Sequence, residues 1–211
     1  MGRKKKSGQR KLRDKGQKLR RRQVAFRQQR QRFLIVCEGE KTEPNYFHSF
    51  RAQADVRVIG IGRDTIDVVE HARKLQQKAI QRDAGYDQVW AVFDRDDFSA
   101  DKFNRAIQIA RNNGIGAAYS NPSFELWFLL HFENHRSPLT RKECETRLSK
   151  HLGERYRKNQ IGMREQLQAF EQHAIERAEG LCRSYKFHNP ARDNPCTTVY
   201  QLVKELNKHS R

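Results

Sequence analysis

The stretch FLIVCEGE, residues 33–40, decides the fold when it is set beside VWAVFDRDD, residues 89–97. Residues 33–36 and 89–93 are short continuous apolar runs rich in β-branched and aromatic side chains, the signature of parallel strands buried on both faces. Each run ends on acid: Glu38 after the first, Asp94 and Asp96 after the second. A carboxylate at such a strand end projects into the crevice at the carboxyl edge of the sheet, where open α/β sheets bind ligands. Three converging carboxylates repel one another unless a cation neutralises them, and oxygen donors of this kind suit Mg²⁺ or Mn²⁺. Asp94 and Asp96, two apart on extended chain, point the same way. The competing reading is a set of solvated strand-end acids that cap the following helices. Asp97 points differently and is expected to cap a helix or stand outside the metal shell.

Working outward, strand and helix patterns alternate four times. Thr42 or Glu43 is expected to cap a helix with Pro44 in its first turn. A second strand, residues 56–61, precedes a helix starting at Asp64 or Thr65 with Ile66, Val69, Ala72, Leu75 and Ala79 on one face. Ser99 caps a third helix carrying Phe103, Ala106, Ile107 and Ala110, which stops at Gly114. A fourth strand, residues 115–119, leads into the apolar stretch 124–132. Beyond Thr140 the strand signal disappears, and residues 141–152, 163–182 and 198–206 read as amphipathic helices. The expected fold is α/β, an approximately four-stranded parallel sheet flanked by helices, with a helical C-terminal extension. The domains read as a basic tail over 1–32, the α/β domain over 33–135 and the extension over 136–211.

Charge is concentrated at one end. The 211 residues carry a formal +18, yet residues 1–32 hold 15 Lys or Arg against the single acid Asp14. That segment has too few large apolar residues to offset its ordering entropy, so it is expected to be disordered, or helical only when bound. It reads either as an electrostatic arm for a polyanion or as a solubilising tail. The four cysteines form no CxxC pair and frame neither a disulfide nor a zinc site. With no apolar run of membrane-spanning length and no signal-peptide core, the expected location is the cytoplasm.

Four further positions have two readings each. Glu125, apolar on nearly every side, must face a cleft, a metal or a basic partner, and a structural salt bridge is the alternative. Lys41 is either a point charge for a phosphate or a plain surface lysine. Asn121 and Ser123 either bind phosphate or metal-bound water, or cap a helix. His131 and His135 have the i, i+4 spacing of helical zinc pairs but no third ligand at a recognisable spacing. No P-loop, G-x-S-x-G or protein-kinase motif is present.

FLIVCEGEKTEPNYF, VFDRDDF, SNPSFELWFLLHF and NPCTTVYQLVKEL together resemble the RloB family, also called AbiLii-like, over about residues 30–208. The resemblance implies a variant of the Toprim fold, the catalytic domain of primases, topoisomerases and OLD-type nucleases. It also implies a role in prokaryotic phage defence, often beside an AAA or ABC-type ATPase partner. Glu38 would match the glutamate after the first Toprim strand, a general acid/base or metal ligand, and Asp94 and Asp96 the metal-binding DxD. Arg95 replaces the usual small residue within that motif. The expected activity is a Mg²⁺- or Mn²⁺-dependent nuclease on RNA, including tRNA, or DNA, carried by Glu38, Asp94 and Asp96 with Glu125 and Lys41. The rivals are a DxD-dependent phosphatase or sugar-nucleotide enzyme, and a non-catalytic nucleic-acid-binding subunit.

Overall fold

The computed structural model describes residues 31–52, 55–62, 64–95 and 99–208. Nearly all of the basic segment, and Asp96 with Asp97, lie outside the described residues. The chain runs β1 (Arg32–Cys37), α1 (Thr42–His48) with a 3-10 turn, β2 (Asp55–Gly60), α2 (Thr65–Ile80), β3 (Gln88–Asp94), α3 (Ala100–Asn112) and β4 (Gly116–Asn121). It continues through α4 (Glu125–Phe132), α5 (Arg141–Leu152), α6 (Met163–Leu167), a second 3-10 turn, α7 (Glu171–Ser184), β5 (Cys196–Thr197) and α8 (Val199–Asn207). The sheet order is β2-β1-β3-β4-β5, with the first four strands parallel.

The apolar strands are buried on both sides, as their unbroken runs require. Phe33 and Ile35 of β1 and Trp90 and Val92 of β3 face one core, shared with α4, α5, α7 and α8. Leu34, Val36, Ala91 and Phe93 face the other, formed with α2 and α3. Capping chemistry sets where several helices begin. Asp64 accepts from the Asp67 N–H at 3.2 Å, and Ser99 from the Lys102 N–H at 3.3 Å. Thr140 and Glu143 close a reciprocal capping box on α5.

Two expectations are corrected. The sheet has five strands rather than four, because β5 pairs antiparallel with β4. A two-residue strand is too short to leave a periodic signal. Long-range bonds define it: Thr197 Oγ1 donates to the Tyr119 carbonyl at 3.1 Å, and Thr198 Oγ1 donates to the Ala117 carbonyl at 2.9 Å. The polar TT pair of the NPCTTV motif thus secures the edge of β4, and the segment beyond residue 136 is not purely helical. The single helix expected over 163–182 is instead α6, a 3-10 turn and α7, which runs on to Ser184.

Candidate functional site

Parallel pairing of β1 with β3 sets Cys37 opposite Val92. Their next residues therefore emerge at the same edge. The Glu38 N–H donates to the Val92 carbonyl at 2.8 Å, and Glu38 Oε2 accepts from the Asp94 N–H at 3.0 Å. Asp94 is 6% exposed, and its Oδ2 accepts from the Phe124 N–H at 3.0 Å and faces Arg141 Nη2 at 3.5 Å. The same aspartate thus ties the end of β3 to the entry of α4 and the first residue of α5.

Glu125 opens α4 at 3% exposure. Ser123 Oγ donates to its Oε2 at 2.7 Å and Tyr156 Oη to its Oε1 at 3.3 Å. Its partners are neutral hydroxyls, and among the described residues it forms no ion pair, which disposes of the structural salt bridge. Ser123 donates to Glu125 and Asn121 Nδ2 to the Pro190 carbonyl at 3.1 Å, and neither side chain caps α4. Arg95 turns toward the same loop, with its Nε donating to the Ala191 carbonyl at 3.3 Å.

Glu38, Lys41, Asp94 and Glu125 line one cleft of about 650 Å³, joined there by Glu40, Glu43, Asp64, Arg141, Lys158 and Asn159. Glu43 is the main residue that sequence reasoning missed, having been read only as a helix cap. It is buried, and burial raises its carboxyl pKa, with the Glu125 charge adding to the rise. Hydrogen bonds from its own and the Gly39 backbone, and the charge of Arg141, oppose it. Gly39 makes room for it, since a Cβ there would overlap the Glu43 carboxylate. The available signal was an acid just before Pro44 in a turn that already holds two other acids.

Nothing local marked Arg141, Lys158 or Asn159. Arg141 reaches the cleft because the capping box starts α5 there and because Asn194 holds Leu139 by paired main-chain hydrogen bonds of 3.0 and 2.9 Å. Asn159 pins its loop to α1, accepting from Asn45 Nδ2 at 3.2 Å and donating to Thr42 Oγ1 at 3.3 Å.

Six carboxylates against three cations make the cleft a hard-oxygen environment, which in its donor chemistry fits Mg²⁺ or Mn²⁺. Among the described residues no three His, Cys, Asp or Glu side chains cluster closely enough to hold an ion. Glu38 and Asp94 each give an oxygen to a backbone N–H, and the third expected ligand, Asp96, is outside the described residues. The two histidines part company. His131 is buried, with Nδ1 donating to the Trp127 carbonyl at 2.9 Å and burial lowering its pKa to about 4, whereas His135 pairs with Glu133 at 3.5 Å.

A mostly parallel α/β sheet with an acid-rich cleft at its carboxyl edge defines the class. Within it, the chain belongs to the RloB-like protein family, whose model matches residues 33–206. Searches of curated proteins and of solved structures returned no match. Among the described residues no helix is long and apolar enough to cross a membrane.

Proposed function

We propose that this chain is a divalent-metal-dependent nuclease of Toprim type, acting in prokaryotic anti-phage defence beside an ATPase partner. The observation that carries the reading is the meeting of Glu38, Asp94 and Glu125 with Arg141 in one cleft at the carboxyl edge of the sheet. Glu38, Asp94 and Asp96 would hold Mg²⁺ or Mn²⁺. When bound, the ion supplies Lewis-acid stabilisation of phosphate charge and lowers the pKa of its water.

The remaining chemistry belongs to the chain's own groups. Arg141, paired with Asp94 and lining the cleft, would bring positive charge toward a phosphate oxygen. Lys41 and Lys158 add point charges at the rim of the cleft. Glu43, whose burial favours the protonated form, is the group suited to donate a proton to a leaving oxygen. Glu125, its two oxygens fixed by Ser123 and Tyr156, keeps a carboxylate facing the cleft. The basic segment 1–32 would add salt-dependent affinity for RNA or DNA without sequence selectivity.

One observation favours a second reading, a nucleic-acid-binding subunit without catalysis: an oxygen of Glu38 and one of Asp94 are each occupied by a backbone N–H. The two readings separate in one experiment. The purified full chain is incubated with Mg²⁺ or Mn²⁺ and labelled tRNA, single-stranded RNA or duplex DNA, beside Asp94→Asn. The nuclease reading expects metal-dependent cleavage that the variant loses. Binding without cleavage of any substrate, unchanged in the variant, would establish the second reading.

A further inference from the structure

Cys182 lies in the last turn of α7 and Cys196 in β5, 14 positions later, and their Sγ atoms are 3.1 Å apart. Both are free thiols: Cys196 is buried and Cys182 only partly so. Closing a disulfide of about 2.05 Å from this separation requires a sulfur movement of about 1 Å, within reach of side-chain rotation at the less buried Cys182. Cys37 and Cys144 are buried among other residues of the core cluster that packs α4, α5 and α7. Sequence spacing alone had offered no pairing at all.

The intervening segment matters to the rest of the fold. Its Ala191 carbonyl accepts from Arg95, the residue after Asp94, and its Pro190 carbonyl accepts from Asn121 at the end of β4. Asn194 holds the main chain at Leu139, two residues before Arg141. His188 adds a further anchor, its Nδ1 on Asp193 Oδ2 at 2.5 Å and its Nε2 against Tyr119 Oη at 2.8 Å.

We infer that Cys182 and Cys196 are an oxidisable dithiol, a modification site at which peroxide closes a disulfide around residues 183–195. The Cys182 thiolate attacks one oxygen of hydrogen peroxide. The O–O bond breaks, the departing hydroxide takes a proton to become water, and Cys182 becomes a sulfenic acid. Sulfur of Cys196 then attacks the sulfenic sulfur. The S–O bond breaks, and the hydroxide leaves as a second water with the Cys196 proton. Two thiols lose two electrons, and one peroxide becomes two waters.

The order of attack follows from the surroundings. The hydrogen bond from Cys196 lowers the pKa of Cys182, against the opposing effect of burial, while the same bond and burial raise that of Cys196. Cys182 is thus both the more accessible thiol and the more readily ionised one. The disulfide would tether the segment that backs the acidic end of β3 and the start of α5. This inference does not depend on the nuclease reading.

The test uses the full chain, fully reduced and then exposed to hydrogen peroxide, with N-ethylmaleimide blocking, peptide mass mapping and thermal melting. The expected result is a Cys182–Cys196 linked peptide, loss of two of the four alkylatable thiols and a Tm higher by roughly 5–10 °C, all reversed by dithiothreitol. Cys182→Ser should abolish the linked peptide and the oxidation-dependent rise in Tm. Because Cys182 is only partly buried, this variant remains informative should Cys196→Ala fail to fold. The inference is overturned by continued alkylation of both cysteines after oxidation, by Cys182 advancing to sulfinic acid without a linked peptide, or by a Tm rise that persists in Cys182→Ser.

Discussion

Helix α4 carries a glutamate at each end, and the two live in opposite surroundings. Glu133, just past the C-terminus, is held by Arg147 at 3.1 Å, His151 at 2.8 Å and His135 at 3.5 Å. Burial pushes its pKa up, but the His151 hydrogen bond and the neighbouring charges bring it below the usual carboxylate range. The Arg147 charge also compensates for an acid at the unfavourable end of the helix dipole. Glu125, at the N-terminus, has only hydroxyl side-chain partners among the described residues and lines a cleft already rich in acid. An acid held by an arginine and two imidazoles is a structural partner. On the proposed reading, an acid fixed by neutral hydroxyls among other acids would be the one that meets a ligand from solution.

That contrast is most severely tested at the strand ends. Asp94→Asn and Glu38→Gln keep side-chain volume and can still accept from the Phe124 and Asp94 N–H groups, so Tm should change little. Metal-dependent cleavage should fall to background, and cleavage at the native rate in the double variant would remove the acidic edge from catalysis. Glu125→Gln should lower the rate by roughly 10²-fold or more while leaving Tm nearly unchanged, because Gln can still accept from Ser123. A matched loss of stability and activity would make Glu125 a packing residue after all.

Glu133→Gln should do the reverse, with full specific activity and a Tm lower by roughly 3 °C at pH 7. The folded pKa of Glu133 is depressed, so its contribution is present above the unfolded value of about 4.5 and is lost as pH falls through the folded value. The difference between wild type and variant should therefore vanish in acid. Glu43 has the opposite sign. Its raised pKa means that ionisation costs stability as pH rises above about 4.5. Glu43→Gln should then melt roughly 2 °C higher than wild type at pH 8 and match it near pH 4. Melting curves across that range settle both, and a Glu43→Gln variant that gains nothing at high pH would contradict the raised pKa.

The residues legible beforehand share one property: local pattern is enough to place them. An unbroken apolar run forces a strand to be buried on both faces, so FLIVC and VWAVF declare β1 and β3, and whatever follows them emerges at the carboxyl edge. Glu38 and Asp94 were readable for that reason, and Glu125 because an acid amid Phe124, Leu126 and Trp127 demands a partner. Lys41 lines the same cleft, while the side chains of Asn121 and Ser123 bond to Pro190 and Glu125. The resemblance carried by four ordered motifs agrees with the family match over residues 33–206.

By itself, then, the sequence determined the alternation of strand and helix, the parallel core and the edge at which the acids gather, because these follow from periodicity and caps within about ten residues. Tertiary structure alone decided that Glu43 is buried beside Glu125, that Arg141 and Lys158 enter the cleft, that two residues at 196–197 extend the sheet and that Cys182 meets Cys196. Each depends on chain closure over a long separation, such as the 47 residues between Asp94 and Arg141 or the 78 between Tyr119 and Thr197. Such meetings are set by how the helices pack on the sheet, and no local pattern of residues encodes them.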